Sequence, residues 1–157
     1  MHLEVLDGAS AFKVRAAALI VHDGRVLLNR LRGDDVWMLP GGTGEFGETS
    51  EATLARELRE ELGVDATVGR RLWVVEHFFG LTGRRWHQIL TIHEAALPAG
   101  CDLVRRDAWE AETGDGEERF RWAGDAELRS LRVLPGFVAG CLRELPATTR
   151  FLVHRDS

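Results

Sequence analysis

The chain has 157 residues but no tyrosine, only two cysteines and no long run of apolar residues. A membrane-spanning helix needs about 20 consecutive apolar residues, so the sequence predicts none. Cys101 and Cys141 lack the close spacing of a zinc site, which favours free thiols in a reducing compartment over a disulfide. The first residues lack the basic and apolar regions of a signal peptide, so we expect a cytoplasmic protein with no membrane partner.

An excess of basic residues is also missing. The chain has 20 lysines and arginines against 25 aspartates and glutamates, which gives a net charge of −5. A protein that binds a long nucleic acid needs a basic stripe, so this class of partner is not expected. Six glutamates and only two arginines lie between Gly42 and Val64. This segment therefore holds nearly all of the negative excess, and its local field favours metal cations.

Short apolar runs alternate with turn signals and helical segments along the chain. The predicted strands are 14–21, 26–30, 37–39, 72–79, 87–95, 119–123 and 151–154. The predicted helices begin at Thr49 or Ser50 and end at Gly63, and cover 125–130 and 134–145. Residues 98–118 give no clear pattern, apart from an acidic turn at 112–118. Composition and periodicity indicate one domain of mixed α and β structure over 1–157.

Three glutamates, Glu57, Glu60 and Glu61, crowd the first predicted helix. Residues i, i+3 and i+4 share a face of a helix, so the three carboxylates are expected to point the same way. Like charges at this spacing destabilise a helix by a few tenths of a kcal/mol per pair, which favours a bound cation. Mg²⁺ prefers carboxylate oxygens as ligands. The structural alternative is a solvated acidic face, the usual role of a charge run.

Nine positions around these glutamates form a pattern of fixed spacing: Gly42, Glu48, Arg56, Glu57, Leu58, Glu60, Glu61, Gly63 and Val64. This pattern resembles the Nudix box, and residues 39–42 resemble its usual lead-in. The resemblance implies the α/β Nudix fold, an α/β/α sandwich around a central mixed β-sheet. It also implies a hydrolase that uses Mg²⁺, or alternatively Mn²⁺. Dimers are common in the family, so a homodimer stays open beside a monomer.

The resemblance assigns roles to residues of the box. Glu57, Glu60 and Glu61 are expected to bind the metal, together with the backbone of Gly42. We place Glu57, Glu60 and Arg56 in the catalytic set. Arg56 would orient the loop and a metal ligand through an ion pair with Glu48, rather than touch the substrate.

The catalytic base stays open at this point. Family members carry it either within the box, where Glu60 is the candidate, or on a later loop. In this chain the later loop corresponds to the acidic turn, where Glu117 and Glu118 are candidates for a base or a further metal ligand. A solvated turn is the structural alternative. Glu76, among apolar residues of a predicted strand, is expected to be buried and to need a partner.

Four further residues are candidates for substrate binding. The guanidinium groups of Arg30 and Arg84 match phosphate oxygens. The rings of Trp37 and Phe79 offer stacking surfaces for a base. The structural alternatives are solvated arginines and core aromatics.

The substrate is not named by the box. Signatures of several subfamilies are absent: Phe79 stands where ADP-ribose pyrophosphatases often have a proline, and the chain has no tyrosine of the dinucleoside-polyphosphate hydrolase type. The resemblance implies a pyrophosphohydrolase acting on a nucleoside diphosphate linked to another group, such as a nucleoside triphosphate, a nucleotide sugar, an ADP-ribose-like compound or a dinucleoside polyphosphate. A non-catalytic nucleotide sensor and a housecleaning hydrolase of oxidised deoxynucleotides are alternatives.

Overall fold

A computed structural model describes residues 1–157 as two β-sheets with two α-helices. The strands of the first sheet are β1 (Glu4–Asp7), β2 (Ser10–Leu19), β6 (Gly41–Thr43), β7 (Thr67–Leu81), β8 (Arg84–Ala96) and β12 (Arg150–Arg155). Their order is β1-β2-β8-β7-β12, with β6 also paired to β2. The β2–β8 and β7–β12 pairs are parallel and the others antiparallel. The sheet is therefore mixed, as predicted.

The second sheet lies in the order β11-β5-β4-β10-β9, with β3 beside β4. Its strands are β3 (Val21–His22), β4 (Arg25–Leu31), β5 (Trp37–Met38), β9 (Ala108–Thr113), β10 (Gly116–Ala123) and β11 (Val133–Leu134). Only the β5–β11 pair is parallel. The strands β1, β6 and β9 had no clear signal in the sequence.

The first helix, α1 (Ser50–Leu62), has the predicted end signals. The Thr49 side chain accepts a hydrogen bond from the Ala52 N–H at 3.1 Å, which satisfies one free donor of the first turn. Gly63 ends the helix in the left-handed conformation, at φ 67°. The second helix, α2 (Asp125–Ser130), also begins and ends as predicted.

Two apolar clusters pack on opposite faces of β2. Ala16 and Ala18 of β2, with Ile20 just after the strand, pack with Leu54 and Leu58 of α1. Its odd-numbered residues, Ala17 and Leu19, belong to the larger cluster that includes Leu128 of α2. This alternation follows from the period of two along a strand. Helical layers therefore cover both faces, which confirms the predicted mixture of α and β structure.

The helix predicted for residues 134–145 is wrong. The chain forms the short strand β11, then a 3₁₀ helix at Gly136–Gly140, then turns. Glycine costs about 1 kcal/mol in a helix interior, and this segment contains Gly136 and Gly140. A Cβ at position 136 would also press on the carboxylate of Asp156, whose oxygens accept the Gly136 N–H at 3.1 and 3.2 Å.

The long β7–β8 hairpin turns at Thr82 and Gly83, both with positive φ. The predicted loop at residues 80–86 is therefore mostly strand. Glu76 is exposed, contrary to expectation, because its position on β7 faces solvent and its neighbour His77 faces the interior. No helix in the structure is long and apolar enough to cross a membrane.

Candidate active site

Two glycines let α1 approach the first sheet closely. Gly41 and Gly42 on β6 pair with Ala17 and Ala16 of β2. A Cβ on Gly42 would overlap the carboxyl group of Glu57, and one on Gly41 would overlap the Ala16 carbonyl oxygen. Only glycine has room at these two positions, so the loop holds the Glu57 carboxylate directly against the sheet.

Arg56 ties the glycine-rich loop to the helix. Its guanidinium donates to both carboxylate oxygens of Glu48, at 2.8 and 2.9 Å, so the predicted ion pair is present. It also donates to Glu57 Oε1 at 2.8 Å and to the Thr43 carbonyl at 3.2 Å. The hydrogen bonds that Arg56 donates are the main reason why the pKa of the Glu48 carboxyl is lowered to about 2. Arg56 thus orients Glu57 through contacts within the chain.

The three glutamates of α1 have different surroundings. Glu57 and Glu61 are only 8% and 7% exposed, because they face the sheet. The Glu60 side chain is 57% exposed and lies 3.5 Å from Arg56. The three carboxylates therefore do not share one environment as predicted: Glu57 and Glu61 are buried, and Glu60 is exposed to solvent. Burial raises the pKa of the Glu57 carboxyl, and the hydrogen bond from Arg56 opposes this rise.

A fourth acid, Glu118, faces the same site from β10. It is 5% exposed and accepts a hydrogen bond from Asn29 Nδ2 at 3.3 Å through Oε1. The second oxygens of Glu118 and Glu61 are buried without a hydrogen-bond partner. Burial raises the pKa of Glu118 to about 7. Burial, followed by the charge of Glu118, holds the pKa of Glu61 well above its ordinary value.

The oxygens of these carboxylates are the type of ligand that a hard divalent cation prefers. As positioned, no three histidine, cysteine, aspartate or glutamate side chains are gathered closely enough to hold a metal ion. However, buried carboxylate oxygens without partners are costly, and oxygen ligands are those that Mg²⁺ prefers. Glu61 and Glu118 supply such oxygens, with Glu57 and Glu60 beside them.

A cleft of about 300 Å³ opens next to these acids. Its polar lining includes Lys13, Arg15, Asn29, Arg30 and Glu118, and its apolar wall includes Phe79, Leu81 and Trp86. The Phe79 and Trp86 rings lie nearly parallel, with their centroids 6.2 Å apart. The structure therefore brings two of the predicted substrate residues, Arg30 and Phe79, to one cleft with Gly42 of the box.

The structure places Trp37, Arg84 and Glu117 outside this cleft. Trp37 is 4% exposed in the larger apolar cluster, and the guanidinium of Arg30 covers its ring. Arg84 lines a neighbouring depression at the tip of the β7–β8 hairpin. Glu117 pairs with Arg32 at 2.6 Å, because successive residues of β10 point to opposite faces. Of the two late acids predicted, only Glu118 faces the site.

Two basic residues of the cleft, Lys13 and Arg15, are missing from the sequence prediction. Both lie on β2, at the start of an apolar run that reads as a buried strand. Arg15 itself could have indicated this part of the site, since a charged side chain inside a buried strand needs a partner or a function. Asn29 was missed because its importance depends on β10, which is distant in sequence.

Comparisons with known proteins decide the family. The family model described as the NUDIX domain matches residues 12–132. The chain belongs to the Nudix family. The fold agrees: the crystal structure of a mutator MutT protein from Bacillus halodurans superposes with a TM-score of 0.60 at 16% identity, over 92% of this chain and 90% of that one. The predicted Nudix fold is confirmed.

Curated relatives match over parts of their length. The provisionally named mutator protein MutT4 of Mycobacterium tuberculosis is 40% identical over 110 residues, which cover 69% of this chain and 41% of that protein. The CTP pyrophosphohydrolase of Escherichia coli is 40% identical over 75 residues, 45% of this chain and 54% of that protein. The Nudix chain thus spans about half the length of these relatives.

Proposed function

We propose that this protein is a Mg²⁺-dependent pyrophosphohydrolase that cleaves the phosphoanhydride bond of a nucleoside diphosphate linked to another group. The observation that carries the proposal is the set of buried carboxylates from Glu57, Glu61 and Glu118 beside the cleft, two of them with an oxygen that lacks a partner. Burying ions without compensation costs several kcal/mol, so Glu57 and Glu61 are best explained as ligands of a cation, and Glu118 as an acid that acts beside it.

The cation would be held by Glu57, Glu60 and Glu61 with the backbone of Gly42, and Mn²⁺ is the alternative to Mg²⁺. When bound, such an ion neutralises phosphate charge and lowers the pKa of a bound water. Arg56 positions the site by holding Glu48 and Glu57 in place. This role explains why an arginine stands within an acidic cluster.

The remaining chemistry is assigned to the chain's own side chains. A water molecule attacks one phosphorus, the bond from that phosphorus to the bridging oxygen breaks, and the other phosphate leaves. Glu118 accepts the water proton, since its Oε2 has no partner and Asn29 holds its Oε1. Glu60 is the other candidate base, but it is largely exposed. Arg30 and Phe79 bind the substrate from the cleft wall.

The substrate class is supported by the relatives. One of the two curated relatives is named a CTP pyrophosphohydrolase, which indicates a nucleotide. A non-catalytic sensor is disfavoured because all nine fixed positions of the box are intact. A housecleaning role against oxidised deoxynucleotides stays the second candidate, since the box does not specify which nucleotide is cleaved.

An activity screen tests the proposed function. Wild-type protein is assayed with nucleoside triphosphates, oxidised deoxynucleotides, nucleotide sugars and dinucleoside polyphosphates, with Mg²⁺ or Mn²⁺. Glu60→Gln, Glu61→Gln and Glu118→Gln should each lower kcat by about two orders of magnitude or more, as expected for the loss of a metal ligand or a general base. Glu76→Gln, an exposed acid outside the site, is the matched control. Turnover of no substrate by the wild type would favour the sensor.

A further inference from the structure

Two basic residues face the acids across the cleft. Lys13 and Arg15 are separated by one residue on β2, so their side chains point to the same side of the sheet, and both line the cleft. Neither forms an ion pair within 4 Å, although Glu57, Glu61 and Glu118 exert their charges on Arg15. The cleft thus contains two cations without a contacting anion.

Arg15 is only 9% exposed. Its guanidinium donates one hydrogen bond, from Nη2 to the Leu39 carbonyl at 2.9 Å. The structure shows no hydrogen bond from its other nitrogens, and Arg15 lines the cleft. Guanidinium groups present several donors in a fixed plane that matches phosphate oxygens. Arg15 is therefore anchored at one edge and free to bind an anion at the other.

Lys13 is held by an aromatic ring. Its Nζ lies 4.4 Å from the centroid of the Trp86 ring, a cation–π contact. Glu4, its cross-strand neighbour on β1, also lines the cleft but does not pair with it within 4 Å. Residues i and i+2 of a strand are about 7 Å apart, so Lys13 and Arg15 reach different parts of a ligand.

We propose that Lys13 and Arg15 form a two-point anion site that binds a phosphate group beyond the diphosphate that is cleaved. This inference rests on the proposed function and narrows its substrate class. A nucleoside triphosphate carries a third phosphate that occupies the site, whereas a nucleoside diphosphate joined to a neutral sugar does not. The enzyme therefore selects triphosphates. The structural alternative is that Arg15 only balances the charge of the neighbouring carboxylates, in which case the loss of Arg15 affects all substrates equally.

A binding experiment separates these possibilities without requiring turnover. Calorimetry in Mg²⁺ buffer compares inorganic tripolyphosphate with pyrophosphate for wild type, Lys13→Met and Arg15→Lys. Wild type should bind tripolyphosphate at least about tenfold more tightly than pyrophosphate. In Lys13→Met the ratio of the two affinities should fall most of the way to one, as expected for the loss of one charged hydrogen bond. Arg15→Lys should reduce the ratio less because it keeps the charge. Arg85→Met, an exposed residue on the other face of β8, should leave it unchanged.

A turnover experiment gives the second readout. The kcat/KM of CTP should fall about 10- to 100-fold in Lys13→Met, mainly through KM, while that of UDP-glucose changes less than about threefold. Equal losses for both substrates, or a tripolyphosphate-to-pyrophosphate ratio that is the same in wild type and Lys13→Met, would overturn the anion site and leave the proposed function intact. Absence of hydrolysis with a preserved binding ratio would instead overturn the proposed function alone.

Discussion

At the scale of single residues, the contact between Gly42 and Glu57 gives a prediction. Gly42→Ala should lower kcat at least about tenfold and destabilise the fold by about 1–3 kcal/mol, because the new methyl group displaces the Glu57 carboxylate. Gly140→Ala is the control, since a Cβ there meets nothing within 4 Å. Turnover assays and urea unfolding of both variants check the prediction. Full activity in Gly42→Ala would show that the close approach is not required.

Contacts around the candidate site could be predicted from the sequence where the residues are close together in the chain. Glu57 and Glu61 are neighbours on one helix, and the Glu48–Arg56 pair joins the residue before the N-cap to the second turn of the same helix. Side chains brought in from distant strands were predicted poorly. Glu117 and Glu118 look equivalent in sequence, and only the pairing of β10 with β4 decides that Glu118 faces Asn29 and the site.

At the scale of elements, α1 was predictable because its capping residues and charge pattern are all local. The predicted C-terminal helix failed because the apolar residues of that segment pack as strand β11 and a single 3₁₀ turn on the larger cluster. Strand β12 was predicted, but its parallel pairing with β7 was not, since register depends on residues that are far apart in sequence.

The pairing of β7 with β12 buries a histidine. His77 is 1% exposed, and its Nδ1 lies 2.9 Å from the amide nitrogen of Gln88, which donates. The neutral ring therefore carries its proton on Nε2, which donates to Asp156 Oδ2 at 2.7 Å. Burial lowers the pKa of His77. At Asp156, burial favours a higher carboxyl pKa. Hydrogen bonds from His77 and His154 outweigh this effect, so the pKa of Asp156 is lowered.

Both shifts predict loss of stability in acid. A histidine with a lowered pKa binds its proton more readily when unfolded, so its stabilisation is complete above about pH 6.5 and is lost as pH falls. The raised carboxyl pKa values of Glu61 and Glu118 act in the opposite direction over the same pH range, so the contribution of His77 is read from the difference between two proteins. In urea unfolding from pH 7.5 to 5.5, His77→Gln should lose less stability, or gain more, than wild type. The exposed His22→Gln is the control. The same dependence of stability on pH in wild type and His77→Gln would contradict this assignment.

At the scale of the whole molecule, the two sheets share the apolar clusters on both faces of β2. We therefore propose that residues 1–157 unfold as one domain. The five tryptophans lie in both sheets, so fluorescence reports on the whole chain and circular dichroism on its secondary structure. The two urea transitions should coincide, as expected for a two-state domain. Separate midpoints would show two independent units.

The proposed function depends on the binding of a divalent cation by the buried acids beside the cleft. Its most direct test is calorimetric titration of Mg²⁺ and Mn²⁺ into wild type, Glu61→Gln and the control Glu76→Gln, with circular dichroism to confirm the fold. We expect binding to wild type and Glu76→Gln, and at least about tenfold weaker binding to Glu61→Gln, because the latter loses a metal ligand. Equal affinity for the three proteins, or no binding to any of them, would contradict it.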